Sequence, residues 1–352
     1  VTHIGERAFQ GTQLSTIEIP NAVTVIDEGA FYNTALTSVV IPDSVIQIGN
    51  FAFSGATSLA DITLGSSVTS IGSSAFANTA ITAIELPESL TNIGAGAFLD
   101  SDLEAVIIPT GMTSIDDNAF SGATALTAVE IPDSVTTIGN YAFRDTGLTS
   151  VVIPNSVTSI GDGAFINAPT LKSVSFGNSV TNIGSSAFYG TALTLLEIPD
   201  SVTSIGDWAF ARLPIHTLDI GSGLTDTDSV GHDAFNNICD SLQGATVNAP
   251  NAVGRGAGTV LRSPWSNAYT TYYKGIHIRG ASCAKLKSLI LGHQVVTVGD
   301  NAFSSISRLD ELVIGGQVTS LGNGNFYNAY NVYVFDPADD NLNLNSYSGE
   351  IT

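Results

Sequence analysis

The feature that most constrains the fold is an internal repeat of 22 or 23 residues. An Ala-Phe pair marks almost every copy, and residues 131–143, 153–165 and 198–210 are nearly identical. A unit of this length is too short to bury its own apolar side chains, but stacked copies bury a continuous core. The sequence therefore predicts a solenoid. The marker phenylalanines are Phe9, Phe31, Phe53, Phe76, Phe98, Phe120, Phe143, Phe165, Phe188, Phe210 and Phe235 and, after a gap, Phe303 and Phe326.

The first half of a repeat has the pattern of a strand, as residues 148–154 illustrate. Leu148, Val151 and Ile153 are apolar, and the last three positions before the proline alternate as in a strand with one buried face. Pro154 has no N–H for a strand ladder, so the strand ends there. Strands of successive repeats are expected to pair in parallel.

The second half of the repeat has the pattern of a turn. In residues 157–165, Val157 and Ile160 form a second apolar pair, and Gly161 follows as a turn residue. Ala164 and Phe165 then supply a small and a large core side chain, which we expect on a short helical turn.

The complete motif is L-x-x-V-x-I-P-x-S-V-T-x-I-G-x-x-A-F, and it resembles the BspA-like leucine-rich repeats over about residues 1–235 and 286–335. The resemblance implies an α/β-type repeat solenoid. It would be a right-handed superhelix with a parallel β-sheet on the concave face and short strands or helical turns on the convex face. Where the family often carries a cysteine after Ala-Phe, this chain has residues such as Thr34, Thr79 and Thr191.

The rhythm of the motif divides the chain into four parts. Residues 1–235 are the regular array, and 236–285 are an irregular aromatic and basic insertion or degenerate repeats. Two further repeats occupy 286–335, and 336–352 form a C-terminal tail. Because the chain opens inside a repeat, we expect it to be a segment of a longer protein.

The net charge of the chain bears on which partners it can bind. The chain has 11 Lys plus Arg against 32 Asp plus Glu, a net charge of −21. A nucleic-acid-binding protein needs a basic surface, so nucleic acid is not an expected partner. No run of 18 apolar residues is present, so no transmembrane segment is predicted.

In a solenoid, each motif position becomes a column along the stack, and one column is the main candidate binding surface. The position between the last two buried residues of the strand faces outward, and most of its residues are acidic or aliphatic, with Thr63 and Ser175 among them. An adhesive face and ordinary strand propensity both account for this pattern. The candidate residues are Glu18, Val40, Glu85, Ile107, Glu130, Val152, Glu197 and Asp219.

The irregular segment is the second candidate. Seven of the 11 basic residues lie between 255 and 308, and aromatic side chains accompany them. Aromatic residues with arginine are typical of interaction hot spots and of platforms for sugars, although packing against the solenoid is the alternative. The candidates are Trp265, Tyr269, Tyr272, Tyr273 and Arg279.

Cys239 and Cys283 also lie in this segment, and either a disulfide or two buried thiols would fit them. The five histidines show no metal-ligand spacing, and no catalytic motif or phosphate loop is present. We therefore expect no catalytic residue, no metal and no cofactor.

Together these observations predict a non-enzymatic leucine-rich-repeat scaffold, extracellular or at the cell surface, that mediates adhesion by binding a protein or a glycan. The alternative is a structural subunit of a self-associating extracellular assembly or filament. Its acidic array and basic segment would favour head-to-tail contacts with another copy of the chain.

Overall fold

The computed structural model describes residues 1–238, 241–247, 276, 285–292, 295–300, 302–303, 306, 309–315 and 318–322, and the backbone of 258–262, 269–273 and 332–334. These residues belong to two compact units, Val1–Gly177 and Asn178–Thr352. Each unit is a stack of repeats.

Each repeat of the first unit contributes one or two short strands. A two-residue strand ends at the isoleucine of the V-T-x-I motif, and a longer strand precedes the proline or, in some repeats, a glycine such as Gly65 in its place. In chain order they are β1 (His3–Ile4), β2 (Val25–Ile26), β3 (Ser38–Val40), β4 (Gln47–Ile48), β5 (Asp61–Thr63), β6 (Ser70–Ile71), β7 (Asn92–Ile93), β8 (Ala105–Ile107), β9 (Ser114–Ile115), β10 (Ala128–Glu130), β11 (Thr137–Ile138), β12 (Ser150–Val152), β13 (Ser159–Ile160) and β14 (Ser173–Ser175).

Equivalent strands of neighbouring repeats pair in parallel, as predicted. The short strands form the orders β1-β2-β4-β6-β7 and β9-β11-β13, with isoleucine opposite isoleucine in each pair. The longer strands pair as β3-β5, β8-β10 and β12-β14. The longer strands of this unit therefore make three separate pairs instead of one continuous sheet.

The second unit continues the same pattern. Its elements are β15 (Asn182–Ile183), β16 (Leu195–Ile198), β17 (Ser204–Ile205), β18 (Thr217–Ile220), a 3-10 helix (Thr227–Ser229), β19 (Gly244–Val247), β20 (Gly258–Arg262), β21 (Tyr269–Tyr273), β22 (Ser288–Leu291), β23 (Thr297–Val298), β24 (Glu311–Ile314), β25 (Ser320–Leu321) and β26 (Val332–Val334).

Here the longer strands form one parallel sheet in the order β16-β18-β19-β22-β24-β26. Strand β19 lies inside the segment predicted to be irregular, yet it pairs with β18 and β22 as a repeat strand does. Strands β20 and β21 form an antiparallel hairpin in that segment. The segment thus contains both a repeat strand and an inserted hairpin, and the domain boundaries drawn from the sequence stay a prediction.

The core follows the marker phenylalanines. In the first unit, the rings from Phe9 to Phe165 stack one on the next, with centroids 5.0–5.6 Å apart and planes within 16° of parallel. In the second unit, Phe188, Phe210 and Phe235 continue the pattern at 5.4 and 5.6 Å. Because the side chains from Phe31 to Phe165 are fully buried, this column is the centre of the first unit's core.

The glycine of the I-G motif is required by the closeness of the repeats. A Cβ at Gly139 would lie 2.6 Å from the backbone nitrogen of Asp117 and 2.7 Å from the carbonyl carbon of Asp116. Side chains essentially never approach backbone so closely, so a larger residue at this position would push the repeats apart.

The predicted repeat solenoid is confirmed, but its α/β character and its helical turns are wrong for the described residues, which contain no α-helix and one 3-10 helix. Around Phe53, backbone N–H groups alternate in direction: Ala52 donates to Gly49 of its own repeat, whereas Phe53 donates to Ala75 of the next. Phe51 and Gly55 flank the pair in the left-handed region, with φ of 55° and 73°. Such residues break an α-helix, so the segment stays a turn that serves inter-repeat hydrogen bonding.

Right-handed winding and a concave position for the sheet remain predictions from the resemblance.

Candidate binding surface

The column predicted to face outward is exposed throughout. In the longer strands, a buried residue alternates with exposed neighbours, because successive side chains of a strand point to opposite faces. All eight candidate residues of this column are exposed, and they are Glu18, Val40, Glu85, Ile107, Glu130, Val152, Glu197 and Asp219.

Three members of the column are large apolar side chains left in solvent. Val40, Ile107 and Val152 retain 64%, 65% and 69% of their accessible surface. In register, Ile107 lies directly beside Glu130 on the neighbouring strand. Val40 and Val152 instead lie beside the small polar residues Thr63 and Ser175, so an apolar side chain adjoins an acidic one at Ile107 and a hydroxyl at the other two positions.

Two members of the column are acids that lie side by side in the second unit. Glu197 and Asp219 are register partners of β16 and β18. Partial burial, followed by the nearby carboxylates of Glu197 and Asp200, raises the pKa of Asp219 above its ordinary value. This cluster of negative charge is a favourable position for a cationic side chain of a partner.

Glu18 and Glu85 lie outside any strand, contrary to the expectation of a strand in every repeat. The backbone nevertheless keeps an inter-repeat hydrogen bond near Glu85, from the N–H of Glu104 to the carbonyl oxygen of Thr82, 3.0 Å apart. This bond joins the two repeats at that point without making a strand ladder.

The structure describes only some of the candidate residues in the irregular segment. Tyr269, Tyr272 and Tyr273 belong to strand β21 of the hairpin. Trp265 and Arg279 lie outside the described residues, as do Cys239 and Cys283, so binding at this segment and the disulfide stay predictions.

A cavity that the sequence analysis missed lies on the turn side of the first three repeats. It measures about 290 Å³ and is lined by Arg7, Gln10, Glu28, Gly29, Tyr32 and Phe51. These residues come from three repeats, so no single stretch of sequence contains the site. The available signal was the second residue before the marker phenylalanine, which is glycine in some repeats, such as Gly29, and aromatic in others, namely Phe51, Tyr141 and Trp208.

His232 and Asp207 form a histidine–carboxylate pair in the second unit. His232 Nδ1 lies 3.0 Å from an Asp207 carboxylate oxygen. The same oxygen accepts a hydrogen bond from the His232 backbone N–H at 2.6 Å. Across the part of the chain that the structure describes, no group of three or more His, Cys, Asp or Glu side chains is placed to hold a metal ion. None of the helices in that part has the length and apolar character needed to cross a bilayer.

The stacked repeats, parallel pairing and exposed strand column define a leucine-rich-repeat solenoid. The sequence profile described as BspA type Leucine rich repeat region matches six copies, over residues 1–104, 24–149, 92–216, 136–254 and 281–348. The chain therefore belongs to the BspA-type leucine-rich-repeat family.

The chain is similar to several solved structures, and the first of the three below supports the fold. A leucine-rich repeat protein from Bacteroides ovatus is 23% identical, with a TM-score of 0.59, over 92% of this chain and 78% of that one. A leucine rich cell surface protein from Faecalibacterium prausnitzii is 26% identical, with a TM-score of 0.46, over 90% and 88%. The pneumococcal vaccine antigen PcpA is 20% identical, with a TM-score of 0.49, over 83% and 72%. No curated protein matches the chain.

Proposed function

We propose that the chain is a non-enzymatic scaffold, located outside the cell or at its surface, that adheres to a protein partner through the outward column of its longer strands. The extracellular location is what the resemblance to BspA-like repeats implies. The observation that carries the binding role is the exposure of Val40, Ile107 and Val152, three large apolar side chains on the outward face of the longer strands.

The chemistry of the column suggests the character of the partner. Exposed β-branched side chains favour an apolar contact, and the acidic neighbours favour lysine or arginine around it. With a net charge of −21, the chain would attract a basic surface over distances of about a Debye length. We therefore expect a partner with an apolar patch bordered by basic residues.

The test is the double variant Ile107→Thr, Val152→Thr. Threonine keeps the β-branched shape and the strand propensity, but it removes an exposed methyl surface. Binding of the purified chain to an array of extracellular matrix proteins should identify a partner, and the variant should bind that partner about tenfold more weakly or worse.

Ile46→Thr is the matched control. Ile46 is also an exposed β-branched residue, but it lies beside the short strands and outside the column. Equal losses in the control and the double variant would contradict a role for the column, as would an array on which no matrix protein retains the chain.

A second candidate function is a subunit of a self-associating assembly. The observation that favours it is the charge asymmetry of the sequence, with seven of 11 basic residues between 255 and 308. Association of this kind should weaken as salt screens the charges. Light scattering at low and high salt tests it, and a monomer at both would exclude this candidate.

A further inference from the structure

The cavity on the turn side is built from three successive repeats of the first unit. Arg7 comes from the first repeat, Glu28, Gly29 and Tyr32 from the second, and Phe51 from the third. Two backbone hydrogen bonds fix the spacing: Arg7 donates to the Glu28 carbonyl at 2.9 Å, and Gly29 donates to the Asn50 carbonyl at 2.8 Å. The walls of the cavity are thus held by the same kind of hydrogen bond between repeats that holds the solenoid together.

The cavity is open because Gly29 has no side chain. Arg7, Gly29 and Phe51 occupy the same motif position in successive repeats, and all three have left-handed φ, at 53°, 58° and 55°. A Cβ at Gly29 would lie only 3.2 Å from Cγ of Arg7, so the arginine stem already borders the gap. Side chains therefore flank the gap on both sides without filling it.

Phe51 places an aromatic ring at a turn position with left-handed φ. An L-residue with a bulky side chain rarely adopts positive φ, whereas glycine and asparagine do so readily. The ring is also 43% exposed and is separate from the buried phenylalanine column. Tyr141 and Trp208 have the same left-handed φ at this position, so the conformation belongs to the repeat turn, and the exposed ring beside an open cavity is what singles out Phe51.

The charges in the cavity are paired. The Arg7 guanidinium lies 3.4 Å from a Glu28 carboxylate oxygen and 3.7 Å from one of Glu6. These carboxylates would repel an anionic ligand, and the guanidinium would repel a cationic one. A neutral ligand with hydroxyl groups meets neither penalty, because guanidinium donates hydrogen bonds and carboxylate accepts them.

We propose that this cavity binds a neutral pyranose unit of a glycan. The electron-rich ring face of Phe51 attracts the weakly positive C–H face of the sugar. Arg7, Glu28 and Gln10 contact its hydroxyl groups, and Tyr32 supplies a second aromatic wall. A volume of about 290 Å³ lies at the small end of ligand pockets and suits a single ring.

A second repeat of the same unit supplies the comparison. Tyr141 has the same motif position as Phe51. It lies one repeat before Gly163, just as Arg7 lies one repeat before Gly29. A Cβ at Gly163 would lie 2.5 Å from Cε1 of Tyr141, so the tyrosine ring occupies the space that is open at Gly29. An exposed aromatic ring is therefore present at both places, but the open cavity is at Phe51.

The test uses Phe51→Asn, with Tyr141→Asn as its control. Asparagine tolerates left-handed φ, so both variants should fold, and far-UV circular dichroism and thermal unfolding will check this. Saturation-transfer NMR titrations will use the methyl pyranosides of glucose, galactose and N-acetylglucosamine, with glucuronic acid and glucosamine as charged counterparts.

We expect saturable binding of at least one neutral glycoside, about tenfold or more weaker in Phe51→Asn and unchanged in Tyr141→Asn. The absence of binding by every neutral glycoside would overturn the proposal. So would equal binding by Phe51→Asn and the original chain, equal loss in both variants, or tighter binding of either charged sugar. The proposal is independent of the strand column, since the variants there leave the cavity intact.

Discussion

The rings of Phe98 and Phe120 lie parallel within 1°, with their centroids 5.5 Å apart, although 22 residues separate them in sequence. Both side chains are fully buried. Each ring therefore obtains its contacts from the repeats on either side of it, which is the relationship that makes a short repeat stable only in a stack.

Replacing Phe120 by alanine should destabilise the chain by about 3–5 kcal/mol, because it leaves a cavity between the rings of Phe98 and Phe143. Chemical denaturation followed by circular dichroism will measure the loss. Phe9→Ala is the control, since Phe9 is only partly buried and stacks on Phe31. Equal losses in the two variants would contradict a core centred on the stack.

Gly139→Ala should cost about 1–3 kcal/mol, since its new Cβ would meet backbone atoms of the preceding repeat that cannot move without separating the repeats. Gly5 has the same motif position in the first repeat, and a Cβ there would meet nothing within 4 Å. Gly5→Ala should therefore be neutral or stabilising by up to about 1 kcal/mol. Urea denaturation of both variants makes the comparison, and a Gly139→Ala variant as stable as the original chain would refute it.

Thr79→Val should destabilise by about 1–2 kcal/mol. The buried Thr79 hydroxyl donates to the carbonyl oxygen of Phe76 at 2.8 Å, and valine leaves that oxygen without this donor. In the exposed Thr12, the same bond to Phe9 is also 2.8 Å long, but water replaces the hydroxyl there. Thr12→Val should thus change the free energy of unfolding much less, and the difference between the two variants is the measured quantity.

Asp219 should make the chain less stable as pH rises. The pKa of Asp219 is raised in the folded state by partial burial and by Glu197 and Asp200. The folded state then binds more protons than the unfolded state between the two pKa values, so stability falls across that window and the full penalty is present above it. Asp219→Asn should be more stable than the original chain at neutral pH, with the advantage absent below the unfolded pKa.

Asp43 should act in the opposite direction. Its carboxylate accepts the backbone N–H and the hydroxyl of Ser66 at 2.7 and 3.0 Å, and these bonds lower the pKa of Asp43. Its stabilisation is present above the unfolded pKa and is lost as pH falls through the folded pKa. Carboxyl-carbon NMR titration should find Asp43 below and Asp219 above the ordinary aspartate range, and the reverse order would contradict both assignments.

Much of the fold follows from the spacing of residues along the chain. The Ala-Phe marker predicted the column of stacked rings, and the alternation before each proline predicted which residues, such as Val152, face solvent. These features repeat with the motif, so their positions in space follow once the repeats are stacked. The helical turn was predicted wrongly because the motif does not reveal that alternate N–H groups bond to the next repeat.

The sequence by itself determined the solenoid, its buried phenylalanines and its exposed strand column, because a fixed period places equivalent residues one above another. Only the tertiary structure decided that Phe51 leaves a cavity beside Gly29, whereas Tyr141 covers Gly163. That difference depends on how side chains from neighbouring repeats pack against each other. A sequence pattern does not specify the distances between them.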